Sequence, residues 1–310
     1  MATKSKIKVL PIPDEVPSGI LNAIDQKKLA IFVGAGVSRV IGCKGWAEIA
    51  ERLIETCHNL EIGDKRAVNY LEKSLLEDNK NSKKVVSICR EILKTHGQES
   101  QYYSCLEEAL NPKQELIDKF DVYGELSKIS ALFITTNIDS CLDDKLPKKN
   151  VKFNLKDFKK ESISVDNLYH IHGSLSNKKS LVLTTREYLE RYNIPEFKEF
   201  LKKVFNEFTI LFIGYGMEEF ELLDFLVMKC SETDEVKHYF LRPSLNEEEG
   251  LLEFEKKYYL DLKTEVIPFS INENGYSQLF NVLKSWRSYI QDRSASLHDD
   301  LKEIDDLTSP

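Results

Sequence analysis

Four short segments of the chain carry residues whose types and spacing suit chemistry. The first is Gly34-Ala35-Gly36-Val37-Ser38, which follows the apolar run Leu29-Ala30-Ile31-Phe32-Val33. Glycines at such a point let main-chain N–H groups close on an anion, and a helix N-terminus adds its positive dipole end. Gly34, Ala35, Gly36 and Ser38 are therefore the residues of a phosphate cradle. The segment departs from the dinucleotide fingerprint, because Arg39 stands where the third glycine would be, and no Gly-Lys-Ser/Thr follows to make a P-loop. A tight strand-to-helix turn without a ligand is the alternative.

The second segment, Thr135-Thr136-Asn137-Ile138-Asp139, ends another apolar run. Asn137 both donates and accepts, and Asp139 accepts from an amide or hydroxyl. Equally, Asn and Asp after a strand cap a following helix, here Ser140 to Leu146. In the third, Tyr169-His170-Ile171-His172-Gly173-Ser174, two histidines share one side of an extended strand. A two-histidine metal site, a structural histidine and an acid/base histidine at His172 are the three readings, and no metal is assigned. Phe212-Ile213-Gly214-Tyr215-Gly216 is a second strand-glycine turn, leading to a helix from Met217. Glu218, Glu219 and Glu221 in that helix would repel a phosphate, so Gly214 is assigned to a sugar edge and the phosphates to the first turn.

The elements that must position these segments follow from hydropathy. Runs of four or five apolar residues that stop at glycine or polar residues suit strands buried on both faces of a parallel sheet. Ala131 to Thr135, Asn167 to Ile171, Ser180 to Leu183, Phe208 to Ile213, Val236 to Leu241 and Lys263 to Pro268 are further strand candidates. Between the first two strands the pattern turns helical. Trp46, Ile49, Ala50, Leu53, Ile54 and Cys57 recur at helical spacing, and three or four helical patterns run from 64 to 120, including Val85 to Leu93 and Tyr102 to Leu110. Later helices are expected at Pro195 to Phe205 and Tyr276 to Ile290. The alternation predicts an α/β fold, a Rossmann-like doubly wound, mostly parallel sheet with an all-helical insertion at about 60–125. Residues 1–290 then form one catalytic domain, and the acidic stretch 291–310 a polar tail or linker.

Composition narrows the function. With 42% apolar residues in 310 there is ample core for a globular domain. A formal net charge of -8 leaves no overall basic field for a nucleic-acid backbone, so direct nucleic-acid binding is not expected. The apolar runs fall far short of the roughly 20 residues of a membrane span, and the start leads into no signal-peptide stretch. Six scattered cysteines with no Cys-x-x-Cys read as core hydrophobes in a reducing cytoplasm rather than as a zinc module.

Taken in order, Gly-Ala-Gly-Val-Ser, Thr-Thr-Asn-Ile-Asp, His-Ile-His-Gly and Phe-Ile-Gly-Tyr-Gly resemble the sirtuin superfamily over about residues 29 to 245. The resemblance implies that Gly34, Ala35, Gly36 and Ser38 hold the pyrophosphate of NAD. It further implies that Asn137 and Asp139 meet the nicotinamide ribose and carboxamide, and that His172 is the acid/base residue. The zinc module of the protein deacylases is absent. Gly45-Trp46, the helical insertion and Leu181-Val182-Leu183-Thr184-Thr185-Arg186-Glu187-Tyr188 look like the sirtuin-like NAD hydrolases of bacterial anti-phage defence. The resemblance thus implies an NAD glycohydrolase, with NAD as substrate and no zinc, acting in abortive infection. It also implies self-association as tetramers or larger, with control by assembly, by a regulatory partner chain or by a C-terminal region. Alternatives are a protein deacylase or ADP-ribosyl transferase, and a sensor or assembly subunit that binds NAD without cutting it.

Overall fold

The computed structural model describes residue 13 and residues 15–78, 82–217, 225–226 and 237–308, with side chains through residue 296. Strand β1 (Leu29–Val33) lies centrally, parallel to β2 (Leu132–Thr135) on one side and β5 (Thr209–Ile213) on the other. With β3 (Val151–Lys152), β4 (Leu168–His170), β6 (His238–Ser244) and β7 (Thr264–Ser270) they form a seven-stranded sheet in the order β3-β4-β2-β1-β5-β6-β7. Every strand pair is parallel, so this is the expected Rossmann-like α/β sheet.

The physical reason that β1 reads as an unbroken apolar run is that both faces of the sheet are covered. Ile31 and Val33 pack with helices α1 (Ser18–Asp25), α8 (Val122–Leu126) and α12 (Gln278–Thr308), whose Trp286 is fully buried. Ala30 and Phe32 face the other way, into an aromatic layer formed with α9 (Thr185–Tyr192) and α10 (Pro195–Glu207). Between β1 and β2 come the short α2 (Ala35–Val40), then α3 (Trp46–Asn59), α4 (Lys65–Glu77), α5 (Ser82–Thr95), α6 (Glu99–Ala109) and α7 (Gln114–Lys119) before α8. Leu53, Cys57, Val86, Cys89, Tyr102 and Leu106 give this helical group a core of its own. It joins the sheet layer through Ile138, Leu181 and Leu183, which sit in that same core.

Strand order turns outward in both directions from β1 and β5, so the topological switch lies between their carboxyl ends. That is where a doubly wound sheet opens a crevice for ligands. Gly34 and Gly214 both stand there.

Some expectations need correcting. Ser180 to Leu183 is not a strand: a 3-10 turn at Lys178–Ser180 precedes an extended piece outside the sheet, because Leu181 and Leu183 are drawn into the helical group's core. The helix expected over Ser140 to Leu146 is only a 3-10 turn at Asp143–Lys145, cut short before Pro147. The polar stretch after Ile290 continues α12 to Thr308, with no glycine or proline to stop it. Residues 218–224, with Glu218, Glu219 and Glu221 of the expected helix, lie outside the described residues, as do Cys230 and Val236.

One buried histidine belongs to the scaffold. His238, on β6, accepts the Ile210 N–H at Nδ1, 3.1 Å away. Burial, reinforced by the neighbouring Lys237 charge, pushes its pKa down to about 3.

Candidate active site

The glycine turn after β1 is shaped first by the other glycine turn. Gly34 caps α2, its N–H donates to Ile213 O at 2.9 Å, and the Gly36 N–H donates to Gly214 O at 2.8 Å. A Cβ on Gly34 would stand 2.4 Å from the Gly214 oxygen, and one on Gly36 2.9 Å from the Gly214 Cα. Gly214 itself holds φ at +62°, a left-handed conformation that favours glycine. The three glycines therefore answer a demand of the fold, the contact of two turns at the switch point. The ligand-free turn thus has a physical basis in this contact, alongside the phosphate cradle. Ala35, by contrast, is exposed at the start of α2.

Behind the turn, four side chains from three elements form a buried polar knot. The Ser38 hydroxyl donates to Asp139 Oδ2 at 2.7 Å and lies 2.7 Å from the Tyr123 hydroxyl. With its own proton committed to the carboxylate, Ser38 accepts from Tyr123. Burial first, and the Asp139 charge second, push the Tyr123 phenol well above its usual range and keep it a donor. Asn137 Nδ2 reaches Gly34 O at 3.1 Å, Ser38 Oγ at 2.9 Å and Tyr123 Oη at 3.3 Å. The three acceptors fix which end of the amide is nitrogen. The other end, Asn137 Oδ1, is buried and accepts from nothing among the described residues. A buried acceptor left open costs about 1–3 kcal/mol, so an orphan at a crevice calls for a donor from outside. Asp139 Oδ1 meanwhile accepts the Cys141 N–H at 3.1 Å in an Asx turn, and the helix it was expected to cap is not formed.

The two histidines go separate ways. His170 Nδ1 is 2.9 Å from the Asn137 carbonyl oxygen and Nε2 is 2.7 Å from Asp143 Oδ1. Both partners only accept, so both ring nitrogens carry protons. Burial disfavours the charge, but the Asp143 carboxylate and the Asn137 carbonyl outweigh it and raise the His170 pKa above 6.5. His172, just as buried, has Nε2 3.0 Å from the Tyr192 hydroxyl and Nδ1 3.3 Å from the Tyr188 hydroxyl. A hydroxyl donates or accepts as needed, so this clamp accommodates His172 in either protonation state. Among the described residues no three of His, Cys, Asp and Glu converge as metal ligands, and the rings of His170 and His172 are held by different side chains.

The helical insertion buttresses the clamp. Arg90 on α5 donates to Glu187 on α9 at 2.6 Å, and Lys83 Nζ lies 4.6 Å from the centre of the Tyr188 ring. Glu187 also accepts the Leu183 and Thr184 N–H groups, closing a capping box with Thr184 that fixes where α9 begins.

Gly34, Gly36, Ser38, Asn137, Asp139 and Gly214 are thus brought together, and His172 stands in the turn just after β4 rather than on the strand. Main-chain bonds tie the two loops, Leu175 N–H donating to Ile138 O at 2.8 Å. Tyr123, Asp143 and Tyr192 were not singled out from sequence. Tyr123 lies on a helix of five residues with no periodic signal. Tyr188 and Tyr192, four apart behind the Thr184-x-x-Glu187 box, were legible as one face of a helix.

Comparison with known proteins finds relatives of this chain. The SIR2-like domain family model matches residues 131–262, a span that holds Asn137, Asp139, His172 and Gly214 but not the first glycine turn. The NAD(+) hydrolase ThsA of Bacillus cereus (strain MSX-D12) is 22% identical over 309 residues, which cover 94% of this chain and 60% of that protein. Defense-associated sirtuin 2 of Bacillus subtilis is 26% identical over 244 residues, covering 74% of this chain and 22% of that protein. The chain therefore spans less than two thirds of the length of either relative.

Proposed function

Because the chain carries a SIR2-like domain, we propose that it is an NAD glycohydrolase that cleaves NAD to nicotinamide and ADP-ribose in anti-phage defence. The observation that carries this reading is the buried Oδ1 of Asn137, without a hydrogen-bond partner among the described residues, beside the switch-point crevice and next to the loop that carries His172. The names of the two relatives, an NAD hydrolase and a defence-associated sirtuin, support the substrate and the setting.

In this reading Asn137 Oδ1 accepts from the attacking water or a ribose hydroxyl. Water adds at the ribose carbon, the N-glycosidic bond breaks, and nicotinamide leaves with the bonding pair. The surplus proton passes to His172, whose tyrosine partners accept the change of charge. Asp139 stabilises the positive charge that develops on the ribose and meets the carboxamide with its remaining lone pairs. Gly34, Ala35, Gly36 and Ser38 face the pyrophosphate, and Gly214 a sugar edge. Residues 1–290 act as the catalytic unit, with the stretch after them leading toward a regulator. Control is by self-association, as tetramers or larger, or by a partner chain or further region. It operates in the cytoplasm.

The test is direct. The purified chain incubated with NAD should release nicotinamide, and light scattering on the same sample should show activity tracking the assembled form. Absence of both turnover and NAD binding at every protein concentration refutes the hydrolase reading. A fully active monomer refutes control by assembly.

A further inference from the structure

A cavity of about 390 Å3 lies apart from the crevice, and none of the residues assigned to NAD lines it. Leu155, Lys179, Val182, Glu187, Glu190 and Arg191 are among its walls. Arg191 is its unusual member. The side chain is buried, yet among the described residues it pairs with no carboxylate. Its guanidinium lies 5.5 Å from the centre of the Phe158 ring and 5.6 Å from that of Phe197. Two of its N–H groups donate to main-chain carbonyls, Ile171 at 2.9 Å and Ser180 at 3.2 Å. Five donors are available in a guanidinium, so the fork is not exhausted.

Glu187 lies near enough to favour the Arg191 charge, though burial outweighs it, and its own ion pair is with Arg90 at 2.6 Å, while Glu190 pairs with Arg186 at 2.7 Å. Lys179, exposed at the rim, has no carboxylate partner among the described residues. The walls thus hold two cations that form no ion pair among the described residues and two acids each paired with another arginine, with Val182 and Leu155 as apolar lining. Isolated buried charge is costly, and an anion that desolvates with it recovers much of that cost.

We propose that this cavity is a second ligand site, for a small organic anion whose phosphate or carboxylate meets Arg191 and Lys179 while its apolar body lies on Leu155 and Val182. The site shares a wall with the turn that carries His172. Arg191 holds the Ile171 carbonyl and Val182 N–H holds the His172 carbonyl at 2.9 Å, on either side of the proposed acid/base residue.

The test titrates phenyl phosphate, benzoate and the uncharged benzyl alcohol into the purified chain by calorimetry. Saturable binding of one or both anions, and none of benzyl alcohol, is expected; the two anions report which head group is preferred. Arg191→Gln should weaken binding by about tenfold or more, the loss of a charge-assisted hydrogen bond. Because that variant also frees two carbonyls and can unfold, Lys179→Glu and Leu155→Trp serve beside it. The first reverses a charge at the exposed rim, and the second enlarges the apolar lining from a side chain already 44% exposed. Both should abolish anion binding while leaving the melting temperature unchanged. Equal binding of benzyl alcohol, undiminished anion binding in these two variants, or no saturable binding of either anion overturns the proposal.

Discussion

His170 ends β4 and His172 stands two residues on, in the turn that follows; both are buried, yet their surroundings ask opposite things of them. His170 faces a carboxylate and a carbonyl, which only accept, and this fixes it as a doubly protonated strut between Asp143 and the Asn137 loop. His172 faces two phenols, which follow its protonation in either direction. A histidine locked by acceptors is a structural cation, whereas hydroxyl partners can serve either as donors or as acceptors to the ring. Under the proposed function, this difference places chemistry at His172 and architecture at His170.

The sharpest way to break that contrast is to remove the second ring. Under the proposed function, His172→Ala should lower nicotinamide release by about 10²- to 10⁴-fold, the usual contribution of a general acid or base, and it should also cost stability, because the ring is buried and bonded to Tyr188 and Tyr192. Near wild-type turnover in that variant would end its assignment. At the other ring, Asp143→Asn removes the charge that holds a buried imidazolium. A loss of about 3–5 kcal/mol in chemical denaturation is expected, as for other broken buried pairs.

The same pair predicts a pH dependence with a definite sign. The folded His170 binds a proton more tightly than the unfolded one, so its contribution is complete below about pH 6.5, the usual histidine value. It declines as pH rises through the raised folded value. Asp143→Asn should flatten that decline. His238, held neutral with a pKa of about 3, behaves in reverse: its contribution is complete above the unfolded value and falls as pH drops from there toward 3. Denaturation midpoints measured across this range for wild type, Asp143→Asn and a His238 variant separate the two slopes.

Smaller effects sharpen the picture of the crevice. Gly36→Ala drives a methyl group into the Gly214 turn, 2.9 Å from its Cα, and should cost about 1–3 kcal/mol of stability as overpacking does. A variant that melts like wild type would show that the turns yield and that the glycine is not required by their contact. The mildest change is Tyr192→Phe, which removes one hydrogen bond of about 0.5–1.5 kcal/mol from His172. It should displace the pH profile of kcat more than it alters KM, and an unmoved profile would detach the clamp from the proton transfer.

Much of this architecture is legible in the chain itself. Leu29 to Val33, Ala131 to Thr135 and Phe208 to Ile213 read as buried parallel strands because residues covered on both faces leave no polar alternation, and all three are strands. Ser180 to Leu183 carries the same apolar signature and is not one. Hydropathy reports that a segment is buried, not against what, and here the helical insertion claims Leu181 and Leu183 before a sheet neighbour can. The two-residue β3 is too short for any pattern to show.

The candidate site divides in the same way. Residue types and their order along the chain were sufficient to single out Gly34, Gly36, Ser38, Asn137, Asp139, His172 and Gly214, since glycines at strand ends and polar residues after apolar runs are local features. What each partner does was decided by the tertiary structure. Contacts such as Tyr123 to Ser38, 85 residues apart, or Asp143 to His170, 27 apart, depend on where the sheet brings distant loops. So does the meeting of Gly36 with Gly214. No local pattern encodes such contacts, because the free energy that makes them comes from burying whole layers together, while the sequence around each residue specifies only its own strand, turn or helix.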